Sequence, residues 1–311
     1  MSEHGRPSVL IVGGFATLPP NYWAFRRRLL RRGVERVDIC QLWPPDWALA
    51  GIVGFGPILR RTGRTIAATY GTGGRRPIIV IAHSAGGIAT RLAMSNVPFN
   101  GRLAGVSEAV GCLVTLGTPH GLLGLSNRYR HAGHEAAAFL ERETPGAYFY
   151  PRTGYLTVGA RIAPTSTRLP TVSVSNEVFR MLVGEGPEMA GDGIVPVAAA
   201  HLEGARQMTF EGVRHGMIGS PWYGDDEVMD RWWPTAVELW HAALDARAGG
   251  ESCKPIAERS AAEQLRMGDP VGRIPWDSRP VSTRSGLLEH DLREALDLQV
   301  AGWSSGSSSG S

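Results

Sequence analysis

The chain has 311 residues, 43% of them hydrophobic, and 32 basic side chains against 29 acidic ones for a net charge of +3. That length suits one sizeable core with additions, and so small and scattered a charge excludes a nucleic-acid surface. Three widely spaced cysteines, Cys40, Cys112 and Cys253, give neither a disulfide framework nor metal-ligand spacing. Residues 1–7 lack the apolar core of a signal peptide, and no apolar run reaches the length of a membrane span. The expectation is a cytoplasmic protein with no metal, no cofactor and no stable membrane anchor.

Residues 8–12, Ser-Val-Leu-Ile-Val, read as a buried strand, and Gly13-Gly14-Phe15-Ala16 follow it. Two glycines let the backbone turn tightly with N–H groups aimed inward. Such a loop can donate to an oxyanion. Phe15 is the first choice of donor, with Gly14 or Ala16 as neighbours able to take the role, and a purely steric turn is the plain alternative. Residues 21–32 carry Tyr22, Phe25, Leu29 and Leu30 at helical spacing, with arginines on a solvated face, and Gly33 ends the helix. Residues 34–42 predict a second strand. Trp43-Pro44-Pro45-Asp46-Trp47 reads as a stiff aromatic loop walling an apolar pocket, and residues 52–70 as a helix.

The stretch Ile78-Ile79-Val80-Ile81-Ala82-His83-Ser84-Ala85-Gly86-Gly87 organises the chain. A run of β-branched residues predicts a strand buried on both faces. A serine at a sharp turn then leads into a helix over residues 88–94, the pattern of a nucleophile elbow. Ala82 stands where glycine is usual, and alanine is small enough to serve. This turn predicts a positive φ at Ser84. Residues 111–116 form another central strand, followed by Gly117-Thr118-Pro119-His120-Gly121, where His120 lines the site or braces the loop.

Residues 121–154 lose the alternation of strand and helix and predict a lid-like insertion, with a short amphipathic piece over 131–142. Residues 155–160 resume as a strand. Asp192, between glycines and ahead of an apolar turn, is well placed for a triad acid; Glu177, Glu185 and Glu188 are the fallback acids. A last strand at 207–210 leads to His215, and residues 227–244 form a final amphipathic helix. The pattern breaks after Gly249, so the domain spans 1–248 and 249–311 is a C-terminal extension, partly disordered, with a Gly/Ser tail that has nothing to bury.

The order Ser84, Asp192, His215 is one of the known orders of a Ser-His-Asp triad, and each residue follows its own strand. His215 would take the proton of Ser84, Asp192 would fix the imidazole tautomer, and the N–H groups of Ala85 and Phe15 would form the oxyanion hole. Gly14, His83, Trp43, Trp47, His120 and Tyr148 are the residues expected to line a substrate pocket.

With G-G-F after the first strand, A-H-S-A-G-G, V-T-L-G-T-P-H-G, G-D-G-I-V-P-V and R-H-G after the last strand, the chain resembles the lipase/esterase branch of the α/β-hydrolase superfamily. The stretch 115–121 is similar to bacterial triacylglycerol lipases and to proteins resembling the GPI inositol-deacylase. Residues 145–148, 199–205 and 221–224 are similar to the plant and cyanobacterial forms. The resemblance covers about residues 8–245. It implies an α/β fold with a mostly parallel central sheet, helices on both faces and a lid or cap. It also implies an ester hydrolase acting on a small-molecule or lipid-like ester. An acyltransferase with the same triad and a catalytically silent binding module are the other two readings, because one fold hosts many chemistries.

Overall fold

Six runs of apolar and β-branched residues become the strands of one sheet. In the computed structural model, which describes residues 4–15, 17–120, 132–162, 191–217, 221–254 and 256–259, these are β1 (Ser8–Val12), β2 (Arg36–Ile39), β3 (Ile78–His83), β4 (Val110–Leu116), β5 (Gly154–Arg161) and β6 (Arg206–Glu211). Their order is β2-β1-β3-β4-β5-β6, every neighbouring pair parallel. Every residue of β1, β3 and β4 is buried. That is the signature of a parallel sheet covered on both faces.

The period of two along each strand sorts side chains into two cores. Val9, Ile11, Ile79, Ile81, Cys112 and Val114 point to one face. It is covered by α1 (Trp23–Arg31) and α7 (Asp226–Ala248). Leu10, Val12, Val80, Ala82 and Leu113 point to the other. There α2 (Pro44–Val53), α3 (Gly56–Thr72), α4 (Ala85–Met94) and α5 (Ala132–Glu143) pack. A four-residue turn, α6 (Val197–Ala200), sits between β5 and β6 in sequence. In α7, Trp232 and Trp240 are fully buried, and their indole N–H groups donate to Tyr223 O (2.9 Å) and Pro77 O (2.7 Å). Truncating either would cost about 3–5 kcal/mol.

Two expectations are corrected. Residues 43–47 do not form a loop but the start of α2. Pro44 supplies the fixed φ suited to the first helical turn, and the Asp46 carboxylate accepts from Trp43 N–H at 2.8 Å. The expected single helix over 52–70 is two, because Gly54 (φ 78) breaks the chain between α2 and α3. In the described part of the segment expected as a lid-like insertion, residues 132–154, Ala136, Phe139 and Leu140 are buried, and the Phe139 ring meets Phe99 at 5.0 Å. Residues 121–131 of that segment lie outside the described residues.

Packing also continues past the expected boundary at 248. Lys254 N–H donates to Tyr150 O (2.7 Å), and the buried Arg259 donates to Gly204 O (3.1 Å) and Ala147 O (2.5 Å) over the Tyr150 ring. Of the arginines read as a solvated face, Arg26, Arg27 and Arg31 are exposed, and Arg28, Arg31 and Arg32 also pair with Asp226 of α7. Arg32 pairs with Asp226 and Asp230, each at 2.6 Å.

Strand order places the site. From β1 the chain runs outward to β2, then crosses back to β3 on the other side of β1. The crevice at the carboxyl ends of β1 and β3 is therefore the topological switch point, where open α/β sheets bind ligands. The Gly13-Gly14 turn and Ser84 are the two segments that leave the sheet there.

Candidate active site

Ser84 joins β3 to α4 with φ 55 and ψ −132, the positive φ expected from the sequence. A non-glycine residue held there stores roughly 1–2 kcal/mol of strain. The surroundings over-determine it. Ser84 N–H donates to Leu116 O at 2.9 Å, Gly87 N–H to Ser84 O at 3.0 Å, and the Thr118 hydroxyl to the same Ser84 O at 2.9 Å. The small neighbours are required by contact. A Cβ on Gly86 would stand 2.5 Å from Val12 O, and one on Gly87 would overlap the Thr118 side chain. A Cβ on Gly14 would stand 2.5 Å from Ser84 Cβ and 3.1 Å from its Oγ, so the serine hydroxyl lies against the Gly13-Gly14 turn. Ala85 is the first residue of α4. Its N–H is one of the four at a helix start that have no intrahelical partner.

Asp192 and His215 form a buried pair. His215 Nδ1 lies 2.8 Å from Asp192 Oδ2, and His215 N–H donates to Asp192 O at 3.0 Å. The other carboxylate oxygen, Oδ1, accepts from Ile194 N–H (3.0 Å) and Val195 N–H (2.7 Å). The Tyr223 hydroxyl donates to Oδ2 at 2.7 Å. Burial pushes the Asp192 carboxyl up. The His215 charge and hydrogen bond, the Val195 N–H and the Tyr223 hydroxyl together outweigh burial, so the group is held below the usual aspartate value. An ionised carboxylate only accepts, so His215 Nδ1 carries a proton and Nε2 is left as the basic nitrogen.

The end of β4 brings the serine and the pair to one place. Ser84 donates to Leu116 O, and the next residue, Gly117 (φ 55), sits under the pair. A Cβ there would meet Asp192 Oδ2 at 2.6 Å, His215 Nδ1 at 2.9 Å and Tyr223 at 3.1 Å. On the other side the His83 ring lies 4.8 Å from the His215 ring.

His83 does not line a pocket. It is buried, and its Nε2 donates to His215 O at 3.0 Å. Its Nδ1, then lacking a proton, accepts from the Tyr22 hydroxyl at 2.9 Å. Burial, aided by the His215 charge, lowers its pKa to about 3, so it stays neutral. Tyr22 Oη also lies 3.3 Å from Thr17 Oγ1, which donates to Gly14 O at 2.8 Å. This chain of contacts ties the glycine turn to the backbone of His215. Burial pushes the Tyr22 phenol up to about 12, which keeps it a donor.

His120 is likewise buried rather than pocket-lining. Its ring sits between Thr115 Oγ1 (3.0 Å) and Arg91 Nη1 (3.4 Å), and burial together with the Arg91 charge holds it well below its ordinary pKa. Trp47 is buried against Phe55 and meets the edge of Phe15 at 6.3 Å. Trp43 stays 40% exposed at the start of α2, and Tyr148 packs on the core beside Phe149. Glu177, Glu185, Glu188 and Ala16 lie outside the described residues. Sequence reasoning missed Tyr22, Thr118 and Tyr223. Thr118 and Tyr223 carried a signal, as parts of the Gly-Thr-Pro-His-Gly and Pro-Trp-Tyr-Gly stretches. Among the described residues no group of three His, Cys, Asp or Glu side chains is set to hold a metal ion. No helix there is long and apolar enough to cross a membrane.

A doubly wound parallel sheet with a candidate site at its switch point defines the broad class, and solved structures bear on the fold. No protein-family model and no curated protein matches the chain. The mature form of Bacillus licheniformis lipase BlEst2 is similar in structure: TM-score 0.51, 17% identity, over 77% of this chain and 95% of that one. Phospholipase PlaB from Legionella pneumophila aligns with TM-score 0.48 and 15% identity, over 76% of this chain and 59% of its own length. The sheet order and the likeness to the Bacillus lipase together give an α/β-hydrolase fold.

Proposed function

We propose that the protein is a serine hydrolase of carboxylic esters in which Ser84, His215 and Asp192 form the catalytic triad. The observation that carries this reading is the convergence at the end of β4, where Ser84 binds Leu116 and the Asp192–His215 pair stands over Gly117. His215 Nε2 takes the Ser84 proton as Oγ attacks the ester carbonyl carbon. The N–H groups of Ala85 and Phe15 hold the tetrahedral oxyanion, each worth about 3 kcal/mol in the transition state. The imidazolium returns its proton to the leaving alkoxide. Water, deprotonated by the same nitrogen, then attacks the acyl-enzyme and releases acid and serine. Asp192 stays ionised throughout and stabilises the imidazolium.

An apolar acyl chain suits the rim. Phe15 is 65% exposed beside the serine turn, and α2 presents Leu49, Ile52 and Val53 to solvent. These support an aryl or lipid-like ester of short to medium chain over a charged or peptide substrate. Cys40, Cys112 and Cys253 are all unpaired, which suits the cytoplasm. The test is labelling by a fluorophosphonate probe: wild type is expected to react and Ser84→Ala to lose both labelling and ester turnover. A Ser84→Ala protein that keeps more than a few per cent of turnover contradicts the assignment.

A further inference from the structure

We propose that Tyr223 is a positioning residue of the Asp192–His215 pair, its phenol sharing Asp192 Oδ2 with the imidazole and thereby setting how strongly the pair holds a proton. The inference rests on the triad reading above. Tyr223 is fully buried, and its backbone is pinned by the Trp232 indole N–H donating to Tyr223 O at 2.9 Å. Its hydroxyl has a carboxylate 2.7 Å away, so it donates. Oδ1 is occupied by two backbone N–H groups, so the phenol and the imidazole meet on the one remaining oxygen.

Two donors on one oxygen compete. Each proton the phenol offers to Oδ2 withdraws negative charge that would otherwise stabilise the imidazolium. Removing the hydroxyl makes Asp192 a stronger partner for protonated His215 but a less constrained one. Strengthening the hydroxyl as a donor does the reverse. Among the described residues, the titratable groups facing the pair are Tyr223 itself and His83. His83 stays neutral down to about pH 3, and burial beside Asp192 raises the Tyr223 phenol far above its ordinary value. Neither changes charge between pH 5 and 9, so the effect reads out on the pair alone.

The experiment is the pH profile of kcat/KM for a nitrophenyl ester, run on wild type, Tyr223→Phe, and a protein with 3-fluorotyrosine placed at position 223. The fluorinated ring keeps the shape and donates more strongly. The acid-limb pKa is expected to rise by about 0.5–1 unit in Tyr223→Phe and to fall by a smaller amount in the fluorinated protein. The Tyr223→Phe plateau is expected to drop roughly tenfold. Shifts of opposite sign cannot come from a loss of packing. The fluorinated protein keeps the test available if Tyr223→Phe does not fold. Profiles superimposable on wild type, or shifts of the same sign, overturn the inference. Probe labelling of Ser84 in wild type keeps that outcome distinct from failure of the triad, which would leave Ser84→Ala active.

Discussion

Replacing Gly117 with alanine attacks the site without touching a reacting atom. Gly117 has φ 55, a conformation an alanine adopts at about 1 kcal/mol. The added Cβ would lie 2.6 Å from Asp192 Oδ2 and 2.9 Å from His215 Nδ1, several tenths of an ångström inside contact with both. Asp192 cannot retreat freely, because Oδ1 is held by Ile194 and Val195 N–H. The pair therefore opens, and losing a charge-assisted hydrogen bond costs about 1.5–3 kcal/mol more. The expected destabilisation is roughly 2.5–4 kcal/mol, a large share of the stability of an ordinary domain. Turnover is expected to fall by about 10³–10⁴, the scale seen when a triad aspartate stops orienting its histidine. Gly33→Ala is the control. It has φ 82 and nothing within 4 Å of its added Cβ, so it isolates the backbone term. Urea unfolding and ester hydrolysis of both variants decide the matter. Equal activity in the two would refute the placement of the pair over Gly117.

Ser84→Gly should be inactive yet at least as stable as Ser84→Ala, because glycine relieves the strain at φ 55; a deficit above about 1 kcal/mol in urea melts would remove the strained turn. Acid should destabilise the fold steeply. His83 and His201 have folded pKa values of about 3 and about 4 against 6.5 unfolded, and burial also holds His120 well below its ordinary value. Between those values the unfolded chain binds protons that the folded one refuses, so stability falls as pH drops from about 6.5, by about 1.4 kcal/mol per unit for each histidine. A urea midpoint that stays flat from pH 7 to pH 5 would contradict this. Truncation after Gly249 removes Arg259 from Gly204, Ala147 and Tyr150, and should lower the melting temperature by several degrees, whereas truncation after Arg259 keeps those contacts. Equal melting temperatures for the two truncations would show those contacts add nothing.

Much of the fold was legible because parallel strands buried on both faces are written as unbroken β-branched runs. Ile78–His83 is the plainest, and Val110–Leu116 repeats it. Ser84 was legible for a related reason: a serine between small residues, after such a strand, has few other structures open to it. Helix α2 was misread because Trp-Pro-Pro suggests a loop, while Pro44 followed by Asp46 is also how a helix starts. The roles of His83 and Tyr223 were out of reach. His83 meets Tyr22 across 61 residues and the His215 carbonyl across 132, and Tyr223 meets Asp192 across 31. No local periodicity encodes such pairings. They exist only once the switch point has gathered the carboxyl ends of the strands.

The central claim is that Ser84 forms an acyl-enzyme. Mixing the protein with excess nitrophenyl ester, quenching in acid within milliseconds and mapping the adduct by peptide mass spectrometry tests it directly. The acyl mass is expected on the peptide containing Ser84 in wild type and on no peptide of Ser84→Ala. An acyl group on another residue, or turnover with no adduct on Ser84, would contradict it.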